Sequence, residues 1–390
     1  MTGTPQSVQI PAPDPASREG SEVVAQVAAA LSAPDGSPRA ELRVPTSGST
    51  GQPRVVVLSA RAVRASGEAT ATRLGGHGQW LLALPTTHVA GLQVVARSVL
   101  AGTTPQVMDL HDGFRSQAFA EASGRLTGAR RFTSLVPTQA HRLVEDARTG
   151  SPAGLEALAG YDAVLLGGAA PAPALLAALA TAGVRVVITY GMSETAGGCV
   201  YDGAPLDGVR VRIREGRIEI SGPVLADGYA DDAEATAQAF ATDSAGCRWL
   251  STNDVGVVVA TDGADHLTIL GRGDDMLITG GVNVAPAAVE ALLTGALGIT
   301  QACVVGLPDP EWGTSVVAVV TLAAGTEATP EGLLAQIRPY VTDILGTPAA
   351  PRHVVIVDEL AQRGPGKIDR HRVTRVAARL LGRAGSTTHN

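Results

Sequence analysis

Five short segments carry residues whose types and spacing suit chemistry on a phosphorylated nucleotide. The first, Thr46-Ser47-Gly48-Ser49-Thr50-Gly51-Gln52-Pro53-Arg54, alternates hydroxyl residues with glycine. Backbone N–H and side-chain O–H donors can close on phosphate oxygens there, with no Cβ wall between them. It is not the Walker type, in which Gly-Lys-Ser/Thr opens a helix, because Pro53 and the strand-like VVVLS occupy that place. Taken alone, the segment also reads as a flexible Ser/Gly linker. The second, Tyr190-Gly191-Met192-Ser193-Glu194-Thr195, follows the apolar run VRVVIT. A carboxylate and two hydroxyls at the C-terminal end of a strand sit where α/β sheets receive ligands. Glu194 suits a magnesium ion that bridges phosphates, and Tyr190 offers a flat face for a base. Upstream, Gly167-Gly168-Ala169-Ala170-Pro171 ends another strand with residues too small to block a planar ring.

Three more segments follow in the second half. Asp254, in Ser251-Thr252-Asn253-Asp254-Val255-Gly256, can accept two hydrogen bonds from ribose hydroxyls, although a plain turn Asp reads the same way. Gly271-Arg272-Gly273-Asp274-Asp275, then Gly280-Gly281, place an Arg for a phosphate or ribose oxygen in a hinge-like loop. Gly364-Pro365-Gly366-Lys367-Ile368-Asp369-Arg370 presents Lys367, the single Lys among 30 basic residues. A chain so biased to Arg that keeps one Lys points to a need for an amine there, with chance retention the plain alternative.

The elements that must position these segments are legible as periodicity. Apolar runs at 55–58, 80–84, 132–136, 163–166 and 184–189 alternate with helical spacing at 60–73, 90–100, 138–148 and 173–182. That alternation predicts an α/β sheet with helices on its faces, and the stretch 22–32 has helical spacing of its own. From about Val209 closely spaced strands (VRVRI, RIEIS, VGVVVA, HLTIL) predict a β-rich subdomain. Gly, Asp and Pro crowd together at 269–286, which places a domain boundary there. Beyond it the pattern predicts helix 286–293, strands 301–306 and 315–321, helix 330–345, strand 353–357 and a last helix from Asp369, an α+β unit.

Composition bounds the function classes. The 390 residues are too many for one ordinary core, and 45% apolar against 17% charged residues excludes a disordered chain or a coiled coil. A formal charge of -7 without a basic run argues against nucleic acid or an anionic membrane as partner and for a small molecule. Three widely spaced cysteines, Cys199, Cys247 and Cys303, suggest neither a disulfide framework nor a zinc site, and a reducing cytoplasm fits. The N-terminus has neither a basic start nor an apolar core, which predicts a soluble, unprocessed chain.

The motifs SGSTGQPR, YGMSET, TNDVG, GRGDDMLITGGVNVAP and GPGKIDR, in that order, resemble the adenylate-forming superfamily of acyl- and aryl-CoA ligases, adenylation domains and luciferases. The resemblance spans about residues 43–375. More narrowly, LPTTHVAGLQVVARSVLAGT, TSLVPTQ, VLLGGAAP and YGMSETAGGCVYDGAPLDG look like the o-succinylbenzoate–CoA ligase branch that serves menaquinone biosynthesis, in its short actinobacterial form. The resemblance implies a large N-terminal α/β adenylation domain with a β-rich subdomain (1–272), a hinge (273–275) and a small mobile C-terminal α+β domain (276–390). It implies ATP, magnesium and CoA as cofactor and co-substrates, with a carboxylate adenylated first and a thioester formed second. Another aryl- or acyl-CoA ligase, a stand-alone adenylation enzyme and a non-catalytic nucleotide-binding relative are the alternatives.

Carried onto this chain, the resemblance gives the β- and γ-phosphates to Thr46, Ser47, Gly48, Ser49, Thr50 and Gly51, the α-phosphate to Thr195 and magnesium to Glu194. Tyr190, Gly191, Met192 and Ser193 line the nucleotide, with Gly168, Ala169 and Ala170 flanking adenine. Asp254 and Arg272 hold the ribose and Asp274 is the hinge. Lys367 bridges the carboxylate and the α-phosphate, and Gly280 and Gly281 approach the pantetheine. Arg54, Ser193 and Asn253 stand where relatives usually have Lys, Thr and Gly. A dicarboxylate needs a cation or several donors at one end of an apolar slot. His88 is expected to gate that slot and Arg97 to meet the second carboxylate, with Ser134, Thr138 and Gly168 beside them. A solvated helix Arg is the plain alternative for Arg97. The large domain is shorter than in relatives by roughly a hundred residues at its start, which predicts apolar surface for a homodimer.

Overall fold

The computed structural model describes residues 8–9, 18–34, 37, 41–46, 54–261, 264–323, 325–364 and 367–382. The chain divides into two compact units: Met1–Ala169, Ala178–Thr252 and Val257–Thr268 form the first, and Ala170–Ala177, Asn253–Gly256 and Ile269–Asn390 the second. The fold is mixed α/β, with a large N-terminal unit and a smaller C-terminal one.

In the first unit a seven-stranded sheet runs in the order Ala204–Pro205, Gly197–Tyr201, Val186–Met192, Ala163–Leu166, Arg131–Leu135, Gln79–Leu82, Gln106–Val107. The five strands from Val186–Met192 to Gln106–Val107 are parallel, so their C-terminal ends share one edge. Ala60–Leu74 leads from the neighbouring sheet into Gln79–Leu82, and the crossovers that parallel strands need run through Val89–Leu100, Ser116–Ser123, Pro137–Arg148 with Ala153–Ala159, and Pro173–Thr181. Local chemistry sets their ends: Ser59 caps the first by accepting from Ala62 N, and Gly75, at φ 82, closes it in the left-handed region. A second sheet joins Val8–Gln9, Glu41–Thr46, Arg54–Ser59 and Gly228–Tyr229. The β-rich subdomain is a third sheet of Arg210–Arg214, Arg217–Ser221, Arg248–Thr261 and Phe240–Thr242, with Ala264–Arg272 paired to Arg248–Thr261.

In the second unit the strands Ile299–Asp309, Gly313–Leu322 and His353–Ile356 form one sheet. Strict alternation along them builds two cores. Ala302, Val304, Val316, Ala318 and Val320 face the helices Pro286–Leu293 and Pro330–Leu345 through Val289, Leu293, Leu333, Ile337 and Val341. The intervening Cys303, Val305, Leu307, Val317 and Val319 face the helix Arg370–Leu380 through Val373 and Ala377. Each fully buried Val, Leu or Ile among them contributes about 1.5–3 kcal/mol relative to exposure.

Three differences from the sequence reading have physical causes. The short helices Ser116–Ser123, Ala153–Ala159 and Ala233–Ala239 escape periodicity because two turns give too few repeats. Asp254 lies within one 14-residue strand, Arg248–Thr261, rather than in a turn. The strand expected at 184–189 continues to Met192, because its later residues pair with Gly197–Tyr201 across the turn Ser193–Thr195.

Candidate active site

In the first unit the motif residues gather at the shared C-terminal edge. Leu166 pairs with Ile188, so Gly168 and Tyr190 follow two residues later on neighbouring strands. Gly167 lies so close to Thr189 that a Cβ would stand 2.4 Å from Thr189 Oγ1, and Gly168 takes φ +84. Small residues there are therefore a steric requirement as well as an opening. Gly168, Ala169 and Ala170 are exposed, and Tyr190, Gly191, Met192, Ser193 and Glu194 are half-buried.

Thr195 departs from its expected role. Its side chain is buried; Oγ1 accepts from Met192 N at 2.9 Å and lies 2.7 Å from Gly197 O and 3.0 Å from Met192 O. A hydroxyl has one proton and two lone pairs, so in this structure these contacts use it on its own turn, which it braces. Ser193, two residues before it, is half-buried.

Glu194 is held by its backbone, where Ala226 N donates to its carbonyl at 2.9 Å, and by its side chain, where the Tyr229 hydroxyl donates to Oε1 at 2.9 Å. Burial and the Glu194 carboxylate push the Tyr229 phenol above its ordinary pKa, so it stays a donor. Tyr229 was missed in the sequence. The available signal was a lone aromatic after Gly228 in a chain only 3% aromatic.

The acid-binding candidates split. His88 opens the helix Val89–Leu100 from an extended conformation and is exposed; Gly91 lets that helix start against Pro85, whose carbonyl O a Cβ would meet at 2.3 Å. Ser134 lies buried on the strand Arg131–Leu135, and Thr138 is exposed at the start of Pro137–Arg148. Gln139 ties that corner down by accepting from Val136 N at 3.0 Å and donating to Ala83 O at 2.8 Å.

Arg97 goes elsewhere. Nine residues separate it from His88, a rise of about 13.5 Å along a helix. The residue is 5% exposed, and its guanidinium donates to the Tyr201 hydroxyl at 3.1 Å and lies 5.1 Å from the Trp80 ring centroid, with Nε unpartnered. Burial lowers its pKa, and no carboxylate pairs with it among the described residues. Arg97 is a core cation here, enclosed by Tyr201 and Trp80.

In the second unit Arg272 gathers two of the predicted residues. It donates to both Asp274 oxygens at 2.9 and 2.8 Å and stands 3.8 Å from Asp254 Oδ1. Gly273 N reaches Asn253 O at 2.6 Å, which fixes the pairing of these segments. Gly280 takes φ +56 against the Trp312 ring and donates its N–H to Trp312 O at 2.9 Å, and Gly281 takes φ +78. The Lys367 backbone lies on the short strand Lys367–Ile368, three residues before Arg370. Arg370 grips Glu290 with Nη1 at 2.5 Å and Nη2 at 3.1 Å and approaches Asp275 at 3.5 Å. The run from Ser47 to Pro53 lies outside the described residues, as do Pro365 and Gly366; Thr46, which is described, pairs with Arg54 across its ends.

All three cysteines are free. Among the described residues no group of three or more His, Cys, Asp or Glu gathers to hold a metal, and no helix is long and apolar enough to cross a membrane.

Comparison with known proteins places these features in a context. Residues 42–229 match the AMP-binding enzyme family, and residues 288–367 match the C-terminal domain of AMP-binding enzymes. A probable 2-succinylbenzoate–CoA ligase of Mycobacterium tuberculosis (strain ATCC 25618 / H37Rv) is 44% identical over 336 residues, covering 86% of this chain and 84% of that protein. The 2-succinylbenzoate–CoA ligase of Enterococcus faecalis (strain ATCC 700802 / V583) is 29% identical, with 84% and 67% covered. Among solved structures, Bacillus subtilis o-succinylbenzoate CoA synthetase with its acyl-adenylate intermediate superposes with a TM-score of 0.70 at 26% identity, covering 85% of this chain and 68% of that one.

Proposed function

This chain belongs to the AMP-binding enzyme family, and on that premise we propose that it is an o-succinylbenzoate–CoA ligase. The observation that carries the reading is the 44% identity to a probable 2-succinylbenzoate–CoA ligase across 84% of that protein's length. In the first step a carboxylate oxygen of the acid attacks the α-phosphorus of ATP and the bond to pyrophosphate breaks. In the second the CoA thiol attacks the acyl carbon and the bond to AMP breaks, leaving a thioester.

The residues divide this work. Ser47 to Gly51, with Thr46, cradle the β- and γ-phosphates, and the Ser193 hydroxyl takes the α-phosphate contact that Thr195 does not make. Tyr190, beside Gly191 and Met192, and the small residues Gly168, Ala169 and Ala170 flank the adenine, while Asp254 and Arg272 hold the ribose. Glu194 fits magnesium, since that ion needs one or two carboxylates and completes its shell with waters and phosphate oxygens; bound there it neutralises phosphate charge. Lys367 supplies a compact ammonium between the acid and the α-phosphate, where negative charge builds as pyrophosphate leaves. The small domain, 276–390, turns about the hinge 273–275 at Asp274 between the steps, exchanging Lys367 for the Gly280-Gly281 loop that meets the pantetheine. His88 gates the acid, with Ser134 and Thr138 as donors for its second carboxylate. Small-molecule partners alone, a cytoplasmic location and a homodimer belong to the same reading; a single monomer mass at micromolar concentration removes the dimer.

The test is AMP and thioester formation from ATP, magnesium, CoA and o-succinylbenzoate, run beside benzoate and a medium-chain fatty acid, with Lys367→Ala as control. Turnover confined to o-succinylbenzoate and lost in the variant is the expected result. Turnover on another acid keeps the ligase and discards the substrate, and none on any acid discards the ligase.

A further inference from the structure

We propose that Tyr229 is a positioning residue for Glu194, fixing one carboxylate oxygen so that the other is presented to magnesium; the identity of the ion rests on the ligase reading. Among the described residues the Tyr229 hydroxyl is the one hydrogen-bond partner of the Glu194 carboxylate, on Oε1 at 2.9 Å. A glutamate on a half-exposed turn samples several rotamers, and one charge-assisted bond from a fixed donor selects among them and leaves Oε2 for a second ligand.

The donor is held from four sides. Tyr229 pairs in antiparallel register with Val56, and its N–H donates to Thr236 Oγ1 at 2.9 Å. Its ring packs tilted on Phe240, with centroids 6.2 Å apart. The Arg54 guanidinium stands 5.2 Å from the ring centroid and is itself 3.6 Å from Asp232. Glu194's backbone is fixed separately, through Ala226 N and the Thr195-braced turn. The hydroxyl is thus delivered from one rigid frame to a carboxylate anchored on another, the arrangement that preorganises a ligand oxygen.

Tyr229→Phe keeps the ring, the strand pairing and the Arg54 guanidinium over the ring face, and removes the hydroxyl with its donation to Glu194 and its bond from Arg54. The measurement is calorimetric titration of ATP at a series of free Mg2+ concentrations, without acid or CoA. The half-saturating Mg2+ concentration is expected to rise about 10-fold, the order of one hydrogen bond to a charged group, with ATP affinity at saturating Mg2+ preserved. In a Glu194→Gln background the same change is expected to add less than about 2-fold, because the two residues act as one unit. An unchanged or lower Mg2+ requirement overturns the proposal, as does a full 10-fold effect in the Glu194→Gln background. If the unmodified protein binds ATP with no dependence on Mg2+, the ligase reading fails instead, a result distinct from a variant that matches the parent.

Discussion

Replacing Gln93 by Met removes the support under the turn that carries Glu194 and Thr195 while keeping the length of the side chain. Gln93 is buried in the middle of the helix Val89–Leu100, and its Nε2 donates to Ala196 O at 2.7 Å and Val63 O at 3.4 Å. Ala196 follows Thr195 directly and sits at φ 49, a left-handed conformation that a non-glycine residue holds only when its surroundings enforce it. Without the amide the buried Ala196 carbonyl loses this partner, which costs about 1–3 kcal/mol. Gln93 Oε1 is itself buried without a partner, so deleting it returns part of that cost. The net is about 1–2 kcal/mol, or a fall in Tm of about 3–6 °C for a unit of this size. ATP–pyrophosphate exchange should fall about 10-fold as the turn relaxes, since misplacement by a fraction of an ångström costs an order of magnitude in rate. Differential scanning calorimetry and exchange on the same preparation decide it. A Tm within 1 °C of the parent together with undiminished exchange would refute the reasoning, because Ala196 would then need no anchor.

Four further outcomes follow from the same structure. Arg97→Met should change the KM for o-succinylbenzoate by less than about 2-fold and stability by about 1 kcal/mol or less, since a buried cation without a carboxylate gains little from its charge; a 10-fold rise in KM would return Arg97 to the acid pocket. Burial pushes the Cys199 and Cys303 thiols up to about 12, so their thiolates are scarce until pH nears that value. A thiol reagent at pH 8 should therefore titrate one fast group, the half-buried Cys247, in the folded protein and three in denaturant. Gly280→Ala places a Cβ 2.7 Å from the Trp312 ring at φ +56 and should slow thioester formation about 10-fold while sparing pyrophosphate exchange. Glu290→Gln breaks the two-point grip on Arg370, whose pKa burial alone would lower but Glu290 raises, and should destabilise the C-terminal unit by about 1–3 kcal/mol in a denaturant titration.

Most of the framework was legible because it is written in local pattern. The strand Ala163–Leu166 and the helices Pro286–Leu293 and Pro330–Leu345 coincide with the periodic reading, and YGMSET closes the strand Val186–Met192 as its pattern predicts, whereas TNDVG lies inside the strand Arg248–Thr261. What periodicity conceals is direction at a single position. Arg97 and His88 belong to one helix, and nothing in their spacing says that one faces solvent while the other is enclosed by Tyr201 and Trp80. Thr195 carries the same lesson, since a hydroxyl beside a motif carboxylate reads as a ligand until its bonds to Met192 and Gly197 are seen.

The sequence by itself determined the class of fold, the family and the set of residues from which the site is drawn, because propensity, alternation and short motifs depend on neighbours along the chain. Only the tertiary structure decided how those residues are used. Tyr229 meets Glu194 across 35 positions, Gln93 meets Ala196 across 103, and Arg97 meets Tyr201 across 104. Contacts at such separations arise when sheet order and helix packing fold distant segments together, and the free energy of burying or pairing each polar group then assigns it to a core, a brace or an open site.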